Sequence, residues 1–310
     1  MTVADSELQP APRRKRRKNP ILARIEYVLY RMIAWAVVSR SDQSLERWGN
    51  RLGGAAAILL RSRHRLALRN LRATFPEKTD SEIRRIAGEC WRHFGRSLLE
   101  YLRCQRMSAS EITQRGKLVN QHLLEEQLSR GKGVILISAH FGSWEFGGLL
   151  VMTMVDRVTT VTRPLDNELL ERDLIRFRAQ TGAKVVDRRR AARHLVRALT
   201  DGGVVVLLPD QAVLPREGIL SPFLGRPAWT TPVPAKLALK LGAAVVFVFC
   251  IPHKAGHSLE FEEPIQIDQL PEEERNPEQL TQRINDVISR RIAARPELWL
   301  WMHDRWKATG

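Results

Sequence analysis

The chain has 310 residues, of which 44% are apolar and 27% charged, enough for a sizeable core and too apolar for wholesale disorder. Lys and Arg number 50 against 34 Asp and Glu, a net charge of +16, so the fitting partners are anionic: nucleic acid, an acidic membrane surface or a phosphorylated substrate. Cys90, Cys104 and Cys250 are odd in number and form no CxxC pair, which argues against a disulfide framework and a Cys-based zinc site and points to a reducing compartment.

Residues 1–19 read as a disordered basic tail ending in the run Arg13 to Lys18, with no apolar segment of a secretory signal directly after it. Such runs serve nuclear targeting or nucleic-acid binding as well as membranes. The next segment favours the membrane. Residues 20–40 read as a membrane-associating helix, apolar but interrupted by Arg24, Glu26 and Arg31, with Tyr27, Tyr30 and Trp35 suited to an anionic leaflet. The uninterrupted apolar stretch Met32 to Val38 is far short of the roughly 20 residues that span a bilayer.

Residues 41–104 read as helical. Leu45, Trp48, Leu52, Ala55 and Leu59 recur at three- and four-residue steps, and a second series runs Ile83, Ile86, Cys90, Phe94, Ser97, Leu98 and Tyr101. Pro76 separates the two series, Thr79 and Glu82 form a capping-box pattern, and Cys90 and Cys104 read as small core residues. From about residue 117 short apolar runs alternate with helical stretches. The predicted strands are 134–139, 158–161, 184–186, 203–208 and 244–251, with helices over 169–180 and 281–294. That alternation implies crossover connections and a mostly parallel, buried sheet. Trp299, Trp301 and Trp306 fit core packing better than a membrane belt. Arg188, Arg189, Arg190 and Arg193 fit a solvated face or one meeting headgroups or an acidic carrier protein.

The sequence has no GxSxG elbow, no phosphate-binding GxxxxGK[ST] loop, no HExxH and no glycine-rich dinucleotide fingerprint. His253 and His257 read as exposed histidines flanking a turn, with the stretch after His257 an exposed strand. What remains is His140, at the end of the VILISA strand, with Glu145 five residues on. The spacing alone is weak, since His257 and Glu262 share it. Position distinguishes them: ligands bind outside the carboxyl ends of strands in an open α/β sheet, and a histidine there suits a general base. A carboxylate one turn into the next helix can orient the ring. The competing reading, a helix-capping histidine with a surface Glu145, is not separated from this one by context.

HFGSWEFGG resembles the H-x4-[D/E] motif of glycerolipid acyltransferases. The chain as a whole resembles the bacterial lipid A biosynthesis (lauroyl/myristoyl) acyltransferase family, within the lysophospholipid acyltransferase-like superfamily. Asn70–Pro76, Arg163-Pro164 with Asn167 to Arg178, Leu208–Gln211, Pro222–Ala228, Thr230-Thr231, Leu241–Val246 and Pro296–Lys307 agree with it in order and character, over roughly residues 45–307. The resemblance implies an α/β fold, a mostly parallel mixed sheet flanked by helices, with an N-terminal membrane-associating region and an acyltransferase domain over 41–310. It implies transfer of an acyl chain from acyl carrier protein or acyl-CoA, as co-substrate and without cofactor or metal, to a hydroxyl of a lipid A precursor. Another glycolipid or phospholipid, such as an inositol mannoside, is the alternative acceptor. The implied setting is the cytoplasmic side of the bacterial inner membrane, with an anionic membrane surface and no nucleic acid as partner.

By that resemblance His140 takes the acceptor's proton and Glu145 fixes its tautomer. The backbone N–H groups of Phe141, Gly142 and Ser143 are oxyanion candidates, Arg163 a phosphate binder, and Asp210 and Gln211 members of the substrate site. A basic nucleic-acid-binding protein explains the charge, but no recognition module is present. A non-catalytic membrane adaptor on the same fold is opposed by the joint presence of His140, Glu145, Arg163 and Asp210.

Overall fold

A computed structural model describes residues 19–162, 165–180, 182–187, 191–254 and 256–309. The basic run 13–18, Arg163 and residues 188–190 lie outside the described residues. The N-terminal third is helical: α1 (Pro20–Val38), α2 (Asp42–Leu59), α3 (Arg61–Thr74), α4 (Asp80–Cys104) and α5 (Ala109–Gln114). Strands and helices then alternate through β1 (Gly116–Val119), α6 (His122–Ser129), β2 (Val134–Ile137), α7 (Trp144–Met154), β3 (Val158–Thr162), α8 (Glu168–Gln180), β4 (Lys184–Asp187), α9 (Ala191–Thr200) and β5 (Val204–Leu207). The chain closes with the hairpin β6 (Ile219–Phe223) and β7 (Arg226–Thr230), then α10 (Val233–Leu241), β8 (Ala244–His253), β9 (Gly256–Ile265) and α11 (Pro277–Ala294).

Seven strands form one sheet in the order β1-β9-β8-β2-β5-β3-β4, parallel at every pairing except β8 with β9. This is the expected mostly parallel mixed sheet flanked by helices. β2 is its centre, paired with β8 and β5, and all four of its residues are buried, because helices cover both faces and leave no place for a polar residue. Strands β1, β6 and β7 carry no strong apolar alternation and were not among the predicted strands.

The Thr79–Glu82 capping box opens α4 as expected, with Glu82 accepting from the Thr79 N–H. Helix α4 is the organiser of the helical third. Gly95 lets α2 cross it closely, since a Cβ there would stand 2.1 Å from the Gly49 carbonyl oxygen. Cys90 and Cys104 are buried, as expected, and Trp299, Trp301 and Trp306 form a buried aromatic cluster against Phe223.

Helix α1 matches the predicted segment. It buries Ala34 and Val37, and is tied to α8 by Tyr27 Oη donating to Asp173 at 2.8 Å and to Asn167 through the Ala23 carbonyl at 2.9 Å. Its other face exposes Ile21, Val28, Met32 and Trp35. Among the described residues no helix is long and apolar enough to cross a membrane.

Candidate active site

The site begins where β2 leaves the sheet. Between Ile137 and the first residue of α7 the chain makes a tight turn through His140, Phe141, Gly142 and Ser143. Gly142 adopts φ +61, and a Cβ on it would stand 2.0 Å from the Cys250 carbonyl oxygen. That region disfavours side chains, and the neighbouring atom is backbone of β8, so neither can yield cheaply. Gly142→Ala is therefore expected to destabilise the protein by about 3 kcal/mol or more. Denaturant unfolding would check this, and unchanged stability would contradict so tight a turn.

Three backbone bonds lock the turn. The Gly142 N–H donates to Leu298 O at 2.9 Å, the Ser143 N–H to Cys250 O at 2.9 Å, and the Phe141 N–H to Ala139 O at 2.7 Å. From α4, the His93 Nε2–H donates to Gly142 O at 3.1 Å. Burial lowers the His93 pKa to about 4, so its ring is neutral.

His140 is thereby set against Asp210, which follows β5, the neighbouring parallel strand. Asp210 Oδ1 lies 2.9 Å from His140 Nδ1, and Asp210 Oδ2 accepts from the His140 backbone N–H at 3.0 Å and from Trp299 Nε1 at 2.9 Å. Asp210 is 1% exposed. Burial alone would raise its pKa, but the His140 ring, the indole N–H and the backbone N–H outweigh it and bring the carboxyl to about 2. For His140 burial pulls the pKa down, while the Asp210 charge and hydrogen bond, helped by the Glu145 charge, lift it above the ordinary imidazole value. An ionised carboxylate at Nδ1 places a proton there and leaves Nε2 as the basic nitrogen. Gln211 Nε2 stands 3.1 Å from that nitrogen and donates to it. The next residue is anchored too, Ala212 N–H donating to His303 Nε2 at 3.2 Å.

Next to the turn lies a cavity of about 780 Å³, within the range of about 300–1,000 Å³ usual for small-molecule sites. Its wall is apolar, built by Leu22, Ile25 and Leu29 of α1, Leu98 and Leu102 of α4 and the first turn of α7. Trp144 joins cavity to base, lining the one while its ring centroid lies 5.6 Å from that of His140. Ser143 has no capping bond into α7. Among the described residues no acceptor meets the N–H of Trp144 or Phe146, two of the orphan donors of a helix start. The site thus joins a histidine held on a buried carboxylate to an apolar cavity, through Trp144, with these two helix-start N–H groups at the cavity's edge.

The family described as bacterial lipid A biosynthesis acyltransferase matches residues 14–308. The chain belongs to this family. It is an acyltransferase. It is 26% identical to the lipid A biosynthesis palmitoleoyltransferase of Escherichia coli over 262 residues, 84% of this chain and 83% of that protein. It is 26% identical to the lipid A biosynthesis lauroyltransferase of the same organism over 280 residues, 89% of each chain. A phosphatidylinositol mannoside acyltransferase of Mycolicibacterium smegmatis is 25% identical over 219 residues, 69% of this chain and 70% of that protein.

Within the acyltransferase the expected site residues have different fates. His140, Asp210 and Gln211 come together. The carboxylate that meets the His140 ring is Asp210 rather than the expected Glu145, because β2 and β5 are neighbours and end side by side. Glu145 lines the cavity and acts on His140 through its charge. Phe141, Gly142 and Ser143, expected as oxyanion donors, each donate their N–H to a protein carbonyl in this structure. Arg163 lies outside the described residues. His257, expected to be exposed, is buried on β9, with Nε2 3.1 Å from both Glu100 Oε2 and Ser143 Oγ.

Two residues that hold the site in place are not singled out by the sequence. Trp299 looked like core, and it is core, but a buried indole N–H needs an acceptor and here finds Asp210. His93 gave no signal at all, lying in an ordinary amphipathic helix.

Proposed function

We propose that this acyltransferase moves a fatty acyl chain from the thioester of acyl carrier protein or coenzyme A to a hydroxyl of a lipid A precursor, with His140 as general base. The observation that carries the reading is the array Trp299–Asp210–His140, which leaves one basic ring nitrogen on a histidine whose ring neighbour, Trp144, lines an apolar cavity. His140 Nε2 takes the acceptor's proton as its oxygen attacks the thioester carbonyl. The tetrahedral intermediate collapses with cleavage of the C–S bond, and the proton on Nε2 passes to the leaving thiolate. Asp210 holds the imidazolium formed in between. The N–H groups of Trp144 and Phe146, at the positive end of α7, receive the oxyanion. Gln211 occupies the acceptor's place on Nε2 until the hydroxyl replaces it.

The acyl chain lies in the apolar cavity, where each buried methylene contributes about 0.8 kcal/mol. Arg163 remains the candidate for an acceptor or donor phosphate, since guanidinium matches phosphate bidentately. The exposed face of α1 lies in the membrane interface, with the basic tail 1–19 on the anionic surface and the catalytic domain, residues 41–310, on the cytoplasmic side of the inner membrane. Lipid A is favoured over an inositol mannoside because the lipid A relatives align over 84% and 89% of the chain against 69%.

The test is transfer by purified protein in detergent, offering labelled acyl carrier protein and acyl-CoA against lipid A precursors and phosphatidylinositol mannosides. Transfer to a lipid A precursor with release of free thiol is expected. Transfer to the mannoside alone would overturn the acceptor, and transfer independent of both thioesters would overturn the donor.

A further inference from the structure

The corner between α2 and α3 presents a surface that neither the core nor the site uses. Ile58, Leu59 and Leu60 are 67%, 79% and 50% exposed. Isolated exposed aliphatics are ordinary, but three in succession at a protruding corner are an unpartnered apolar tip. The corner is not loose. Leu60 alone joins the two helices, Gly53 of α2 packs on the Trp91 backbone, and Ala67 and Leu71 of α3 are fully buried. The tip is thus held out on rigid elements.

The sequence around it is one-signed, although Arg69 and Arg72 pair with Asp304 and Asp80 from outside that stretch. Residues 47–76 contain seven arginines and no Asp or Glu. Arg61, Arg63 and Arg65 follow the tip directly, are exposed, and have no ion-pair partner among the described residues. Arg61 and Arg63 stand in the first turn of α3, where the helix dipole disfavours cations and no acidic residue offsets them. Nothing within the described chain repays that placement, so the compensating anions belong to the partner. An aliphatic tip with a collar of arginines fits the boundary between acyl chains and anionic headgroups. Nucleic acid would satisfy the cations but leave the aliphatic trio in water.

We propose that the α2–α3 corner is a second membrane-contacting site, separate from α1, in which Ile58, Leu59 and Leu60 enter the acyl edge of an anionic bilayer and Arg61, Arg63 and Arg65 lie on its phosphates. The inference rests on the membrane association proposed above, and two contacts would fix the enzyme's tilt where one leaves it free to rotate about α1.

The test uses Leu59→Cys and, separately, Trp35→Cys, each carrying an environment-sensitive fluorophore. The native cysteines are buried and Trp35 is 79% exposed, so labelling and folding are both permitted, with thermal unfolding as the check. On vesicles of phosphatidylethanolamine and phosphatidylglycerol the Leu59 probe is expected to shift to the blue, and on phosphatidylcholine vesicles to shift little. Replacing Arg61, Arg63 and Arg65 together by Gln should lower binding to the anionic vesicles by about tenfold or more. A shift at Trp35 without one at Leu59 would overturn the second site and leave α1 as the only contact. No shift at either would overturn membrane association itself. A silent Leu59 probe with salt-sensitive binding of duplex DNA would assign the arginines to nucleic acid instead.

Discussion

His140→Ala is expected to lower acyl transfer by at least about 10³-fold while leaving the fold intact. General base catalysis contributes about 10²–10⁴-fold, and here the same nitrogen would also return the proton to the leaving thiolate, so its loss affects both halves of the reaction. The fold should survive because the side chain is partly exposed, and the turn is held by the backbone of Gly142 and Ser143 rather than by the ring. Removing the ring does cost the neutralising partner of a buried carboxylate, so a modest loss of thermal stability is expected beside the loss of rate. Turnover within about tenfold of the parent would remove His140 from the role of base.

Asp210→Asn should be nearly as severe, about 10³-fold in turnover, since an amide can present its NH₂ to Nδ1, favour the wrong tautomer and no longer stabilise an imidazolium. It also makes a prediction in pH. In the parent the His140 pKa lies above the ordinary imidazole value, so the basic form grows as pH rises through that elevated pKa, and kcat/KM should climb with it. With Asp210 neutral, its charge no longer lifts the His140 pKa, while burial, which depresses it, stays. The acid limb should then move to lower pH even as the maximum rate falls. A pH profile separates this from a structural role, which would lower the rate without moving the limb. An unchanged rate for Asp210→Asn beside a large loss for Glu145→Ala would restore the assignment of the orienting carboxylate to Glu145.

The parts of the site legible in the sequence were those fixed by local rules. His140 and Asp210 each follow an apolar run that could only be a buried strand, and strand ends on one edge of a parallel sheet are where sites form. The capping box of α4 was legible because its two partners are three residues apart. What the sequence withheld was adjacency. The sheet places β2 between β5 and β8, an order that chain position does not reveal, and this alone decides that Asp210 rather than Glu145 meets the ring. The partners of the N–H groups expected as oxyanion donors were hidden for a related reason. A helix start is visible in HFGSWE, but where each N–H of the preceding turn points depends on Cys250 and Leu298, more than a hundred residues away. Trp299 was read correctly as core, and its second use could not be seen without Asp210 beside it.

The bonds that close the turn give the enzyme a clock. His140, Asp210 and Trp299 come from the first, second and last parts of the α/β region, and Leu298 and Cys250 complete the turn that aims the ring. Such non-local contacts pay their loop-closure entropy late in folding. Synthesis proceeds from the N-terminus, so α1 and the α2–α3 corner emerge long before residues 298 and 299 do. On the proposed membrane contacts, a nascent chain would reach lipid before His140, Asp210 and Trp299 are assembled. The array at His140 is complete only once residues 298 and 299 have left the ribosome and docked, so a chain cut short of Trp299 would lack the indole that holds Asp210.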